Sequence, residues 1–229
     1  MCLLGRSFSR ADQGSIREYV YQSLKSKILN LQLPPGTKIS EKDISEEYNV
    51  SRTPVREVFI KLAQEDLLDI YPQRGSFISL IDMEHVEEAR FIREHLEKAV
   101  VREACEKLSE KDLFYLESNI AGQEICCEKQ NYLHMQELDE EFHQIIYTGS
   151  GKIQTWSIVQ QMNNHFYRLR MLRLAHSPFW DTILTQHKQI LQAIKAQDPD
   201  QAEKITEEHL RLIILEKDQI REKYLEYFR

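Results

Sequence analysis

No stretch of this 229-residue sequence approaches the roughly 18 consecutive apolar residues of a membrane-spanning helix, so a helical membrane protein is excluded. The opening Met1 to Gly14 carries Arg6 and Arg10 but lacks both an apolar core segment and a small-residue cleavage site. It does not read as a signal peptide, and residues 1–14 are expected to be a flexible terminus. Cysteine is sparse: Cys2, Cys105, Cys126 and Cys127 make no C-x-x-C pair, and the adjacent two are poorly placed to bond each other. A reducing cytoplasm is the natural setting, rather than a secreted disulfide scaffold. Seven glycines, six prolines and few long alternating runs leave a mainly α fold, and a 41% hydrophobic content suffices for packed cores. Internal repeats and low-complexity segments are absent.

The net charge of −7 argues at first against nucleic acid, but it is unevenly spread. Residues 1–80 hold 11 Lys+Arg against 10 Asp+Glu, whereas the remainder holds 19 against 27. Only the first part suits an approach to phosphate, through local patches. Two domains follow: 15–80, and an acidic 81–229.

Within the first part, Ile16, Tyr19, Val20, Leu24, Ile28 and Leu31 line one face of a helix from Ser15 to Leu31. Leu33-Pro34-Pro35-Gly36 stops it. Ser40 caps a short second helix with Asp43 as an approximate capping box, and Asn49-Val50 turns the chain into a third. In Ser51-Arg52-Thr53-Pro54-Val55-Arg56-Glu57 the serine stands as a capping hydroxyl and Pro54 falls in the first turn. Arg52 and Arg56 share one exposed face, while Val55, Val58, Phe59 and Leu62 recur on the buried one. Residues 67–71 and 76–80 read as strands around Pro72-Gln73-Arg74-Gly75, a wing with a basic tip. This order of parts is a winged helix-turn-helix, whose third helix reads the major groove.

Pro34-Pro35-Gly36-Thr37-Lys38-Ile39-Ser40-Glu41, Val50 through Glu57, and Gln73-Arg74-Gly75 closely resemble the DNA-binding domain of GntR-family bacterial transcription regulators. The resemblance implies that Lys42, Ser51, Arg52, Thr53, Arg56 and Gly75, with Arg74 at the wing tip, contact a double-stranded DNA operator. Lys42 stands where many members carry arginine, which favours a phosphate contact over a bidentate base contact. Asp66 stands where a glycine is usual before the wing.

The second part reads as an antiparallel bundle of about six helices: 83–107, 111–129, 132–147, 153–174, 180–196 and 199–227. Gly149-Ser150-Gly151, Ser177-Pro178 and Asp198-Pro199 separate them, the last pair being a good helix start. Asp139 and His143, four apart on one face, can supply two metal ligands; His187 and His209 lie in the next-to-last and last helices. From spacing alone each histidine reads first as an ordinary polar or core residue. The bundle, however, resembles the C-terminal FCD domain of the FadR subfamily over about residues 85–225. Metal-binding members of that subfamily use an aspartate and three histidines in this order, which implies Asp139, His143, His187 and His209 as ligands. Zinc is the expected divalent ion, with nickel or another transition metal as alternatives. Arg93 matches a position where the subfamily carries a cavity-facing arginine that could clamp a carboxylate effector; the competing reading is a surface salt bridge with Glu97.

The sequence thus leads to a non-enzymatic, ligand-responsive regulator, most simply a repressor. It is expected to be cytoplasmic in a bacterium, nucleoid-associated when on DNA, and a homodimer reading a near-palindromic operator under control of a small organic acid. Two alternatives stay open. One is a metal-dependent enzyme using the same four ligands with Glu140 or Glu141 as general base, and the other is a regulator with a purely structural metal.

Overall fold

The computed structural model describes the backbone of residues 10–176 and 180–229, and the side chains of 16–175, 180–212 and 217–229. The chain divides after Leu80 into two compact units. In the first, α1 (Arg10–Leu29), α2 (Glu41–Glu47) and α3 (Arg52–Gln64) pack with β1 (Lys38–Ile39), β2 (Leu68–Tyr71) and β3 (Gly75–Ile78). Helix α1 begins at Arg10, within the segment 1–14, and runs through Gly14, since one glycine costs a helix only about 1 kcal/mol. Residues 1–9 lie outside the described part.

Val20, Leu24 and Ile28 of α1 meet Ile44 of α2, Val55, Val58, Phe59 and Leu62 of α3, and Leu68 and Ile78 of the sheet in one buried cluster. The sheet order is β1-β3-β2, antiparallel throughout. Sequence periodicity does not reveal β1, since two residues are too few to alternate. Asp66 takes φ 56° after α3, so it adopts the left-handed conformation that glycine would supply there. At the wing Gln73 and Gly75 have φ 63° and 105°. A Cβ on Gly75 would stand 2.9 Å from Lys38 Cε, a side-chain end that can swing aside, so it is the positive φ of the turn that favours glycine.

The second unit comprises α4 (Met83–Lys107), α5 (Glu110–Lys129), α6 (Tyr132–Gly149), α7 (Ile153–Met162), α8 (Asn164–His176), α9 (Trp180–Lys195) and α10 (Pro199–Lys223). The single helix expected over 153–174 is two, so the described residues hold seven helices rather than six. Asn163 makes the break: it caps α7, and its side-chain amide reaches across to Glu140 at 3.4 Å. The expected boundary at Ser177-Pro178 lies outside the described residues.

Capping fixes several other ends. Ser109 and Asp112 form a reciprocal box at the start of α5, and Asp198 accepts from Gln201 N with Pro199 in the first turn of α10. Each such cap contributes about 1 kcal/mol. After α10 a short turn of 3-10 helix (Leu225–Tyr227) brings Phe228 into a parallel bridge with Ile81, while Arg229 pairs with Asp82 at 3.0 Å. The core gathers Val100 and Val101 of α4, Leu116 of α5, Phe142 and Ile146 of α6, Ile190 of α9 and Ile205 of α10.

Candidate functional site

In the first unit, the positions expected to meet DNA are open to solvent. Lys42, Ser51, Arg52, Thr53, Arg56 and Arg74 are exposed, and Gly75 is half-buried at the wing. Lys42 lies 3.8 Å from Glu46, a loose surface pair. Arg52 and Arg56 make no ion pair among the described residues, so both guanidiniums are available to a partner. Ser51 occupies the N-cap of α3 but makes no capping hydrogen bond, contrary to expectation. An N-cap hydroxyl can bond the amide of the second or third helical residue; the third is Pro54, which has no N–H, and the second, Thr53, is left without this bond. The Ser51 hydroxyl and the first amides of α3 therefore stay available for a phosphate oxygen. Arg74 stacks over Tyr71 at 5.3 Å. Lys38, beside Gly75 and over the Phe77 ring, adds a cation near the wing that no sequence motif had singled out.

In the second unit, α6, α9 and α10 bring Asp139, His143, His187 and His209 together, with one potential ligand atom from each within 4.8 Å of all the others. All four are buried. His143 Nε2 stands 3.3 Å from His209 Nε2 and 3.9 Å from Asp139 Oδ2; His187 Nε2 stands 3.6 Å from Asp139 Oδ1. Ligands about 2.0–2.2 Å from a common ion stand at comparable mutual separations.

The outer faces of the imidazoles decide their tautomers. His143 Nδ1 lies 2.7 Å from the Glu97 carboxylate, His187 Nδ1 2.8 Å from Gln123 Oε1, and His209 Nδ1 3.2 Å from Gln186 Oε1. A carboxylate can only accept, and the Gln123 amide donates its N–H to Asn119 Oδ1 at 2.7 Å, so its oxygen accepts from His187. With Nδ1 protonated, each Nε2 turns a bare lone pair inward. His187 Nε2 and Asp139 Oδ1 are buried with no hydrogen-bond partner. Converging lone pairs and a carboxylate oxygen repel one another unless a cation lies between them, so this donor set fits a divalent metal.

The electrostatics agree. Burial depresses the His187 imidazole to about 3, and burial with the two neighbouring imidazoles holds His209 well below its ordinary value, so both stay neutral. Burial would raise the Asp139 carboxyl, but the Arg170 guanidinium overrides it and keeps it ionised, well below the carboxylate range.

Arg93 is buried rather than on the surface, and its pair with Glu97, 2.6 Å from Nε, is buried with it. Its Nη1 also lies 3.4 Å from Glu140, so the surface-bridge alternative is corrected by a side chain enclosed between two acids. Arg170 of α8, absent from the sequence expectation, bonds Asp139 through one nitrogen and Glu140 at 2.6 Å through another. Asp139, Arg170, Glu140, Arg93 and Glu97 thus form a chain of alternating charge that leaves one ligand and ends against the ring of another, His143. Glu140 is fully engaged, and Glu141 accepts from Asn119 at 2.9 Å, so neither is poised as a general base. Arg170, Gln123 and Gln186 carried no readable signal beyond being polar on otherwise apolar helices.

Comparison with known proteins agrees with both halves. Residues 16–78 match bacterial regulatory proteins of the gntR family, and residues 88–212 match the FCD domain. The HTH-type transcriptional repressor RspR of Escherichia coli K12 is 34% identical over 93% of both chains. An HTH-type regulator of Streptomyces ambofaciens is 33% identical over 90% of this chain and 86% of its own. Among solved structures, E. coli McbR/YncC superposes with a TM-score of 0.77 at 21% identity, covering 91% of this chain and 98% of that one.

Proposed function

Because the chain belongs to the GntR family of bacterial regulatory proteins, with an FCD domain behind its DNA reader, we propose that it is a repressor controlled by a small organic acid at a metal centre. It is a transcription regulator and not an enzyme. The sign of regulation is taken from the repressor among its relatives. The observation that carries the sensor reading is the convergence of three Nε2 atoms and Asp139 Oδ1, each imidazole held by an outer acceptor.

A divalent ion bound there, zinc or nickel, would supply a coordination position for an effector oxygen beyond the four protein ligands. The chain's own residues do the rest. Glu97, Gln123 and Gln186 orient the imidazoles, burial keeps them neutral, and the guanidiniums of Arg93 and Arg170 place fixed positive charge beside the ligands. On the DNA side, Arg52 and Arg56 reach base edges or phosphates while Ser51, Thr53 and the first amides of α3 hold a phosphate. Lys42, Arg74 and Gly75 serve backbone contact at the flanks. A homodimer presents two such helices to a near-palindromic operator, and the acid shifts the population of the DNA-competent form.

The test couples composition to binding. Elemental analysis of the purified protein should find a transition metal at one ion per chain. Addition of carboxylic acids to the metal-loaded protein should raise its melting temperature and lower its affinity for an operator selected from genomic fragments. A metal-loaded protein that no acid shifts, in either readout, contradicts the sensor reading.

A further inference from the structure

Tyr147 of α6 and Thr206 of α10 are buried, and neither hydroxyl has a hydrogen-bond partner within the protein. Such groups ordinarily find one: a buried phenol reaches a polar atom, and a helical threonine can bond the carbonyl four residues back. Both residues line one small cavity, together with Glu97, His143 and a few apolar side chains. Of the four metal ligands only His143 lines it, beside Glu97, whose carboxylate lies 2.7 Å from His143 Nδ1. The cavity is therefore behind that ring and not among the converging Nε2 atoms. It has room for about one water molecule. A carboxylate offers about four lone-pair sites, and Glu97 faces Arg93 Nε at 2.6 Å with one oxygen and His143 with the other, so it can accept a further O–H. Burial, with the Glu97 charge nearby, pushes the Tyr147 phenol up, so it stays an O–H donor.

We propose that this cavity binds a single water that accepts the Tyr147 O–H, donates to the Glu97 carboxylate and bonds the Thr206 hydroxyl. Tyr147 and Thr206 are then positioning residues of the metal centre. Through the water they fix the carboxylate that holds His143 Nδ1, and so aim His143 Nε2. The inference rests on the reading of Asp139 and the three histidines as metal ligands, and it adds a water-linked layer joining α4, α6 and α10 behind them. The alternative is a dry cavity, and the two differ in sign. Hydroxyls that meet nothing cost the fold stability, so their removal from a dry cavity leaves it as stable or more so. Hydroxyls that hold a water against a carboxylate stabilise it, and their removal is a loss.

The test uses the full chain carrying Thr206→Val or Tyr147→Phe, each close in shape to the residue it replaces, with their double variant and Thr206→Ser. Melting temperature is read on chelator-treated protein, and zinc affinity by competition with a chromophoric chelator. The bound water predicts that each single variant melts about 2–4 °C lower. It also predicts zinc affinity reduced about 3–10-fold, below the 10–100-fold loss that follows removal of a directly bonded outer partner. The double variant should lose no more than the worse single one, because both hydroxyls act through the same water, and Thr206→Ser should match the wild type. Melting unchanged or raised in both single variants overturns the water. Lower melting with unchanged zinc affinity overturns the positioning role, and losses of zinc affinity that multiply in the double variant overturn the shared water. Should Tyr147→Phe fail to fold, Thr206→Val against Thr206→Ser decides alone. Should the wild type bind no zinc, the metal reading falls while the melting temperatures still decide the water.

Discussion

The arginines of the two units obey opposite rules. Arg52 and Arg56 are exposed and make no ion pair among the described residues, whereas Arg93 is buried and Arg170 nearly so, each between two acids. An exposed guanidinium costs the fold almost nothing and keeps its donors for a partner. A buried one is tolerable only with its anions in place, so it belongs to the architecture before it belongs to any ligand. Loss of a reader arginine should therefore change binding without changing stability, and loss of a network acid should change both.

The largest effect falls on the network. Glu97→Ala leaves the buried Arg93 charge with the more distant Glu140 alone and frees the His143 ring, and it should lower unfolding stability by about 3–5 kcal/mol in urea titration. If stability instead changes by no more than a surface substitution would, the buried charges are not the structural elements described. Next comes Gln123→Leu, which removes the acceptor of His187 Nδ1 at similar volume. Competition with a metal chelator should show affinity reduced about 10–100-fold, and unchanged affinity would mean that the outer acceptors do not orient the ligands.

The reader provides the contrast. Arg52→Ala and Arg56→Ala should each weaken operator binding by about 1–3 kcal/mol and flatten its salt dependence, with the melting curve unmoved. A variant that melts early would place these arginines in the fold rather than at the interface. The smallest effect belongs to Asp66→Gly, which relieves a left-handed residue and should raise stability by up to about 1 kcal/mol, offset in part by a freer unfolded chain. A loss of stability there would show that the Asp66 side chain contributes more than its backbone costs.

The same contrast explains what could be read from sequence. The reader is built from neighbours in the chain: caps, a proline pair, an apolar stripe and a glycine turn all lie within a few residues of the structure they cause. Even its departures are partly local, since Pro54 removes one of the two amides that Ser51 could cap. Asp139, His143, His187 and His209 were legible through the resemblance, and the helices bearing them through periodicity. The charge network around Glu140 was not. Glu140 meets Arg93, Gln160, Asn163 and Arg170 from other helices, and only the packed bundle brings those side chains together. The buried state of Arg93 likewise follows from its neighbours in space, because an i,i+4 pair with Glu97 looks identical on a surface helix and in a core.

The central claim is that the metal ligands of the second unit govern the DNA affinity of the first. The most direct measurement titrates a fluorescent operator with metal-loaded wild type and with His187→Ala, each with and without an acid that binds the wild type. The account predicts that the acid weakens operator binding by the wild type at least about tenfold, a coupling of roughly 1.4 kcal/mol, and leaves His187→Ala unmoved. An equal acid response in His187→Ala would contradict it.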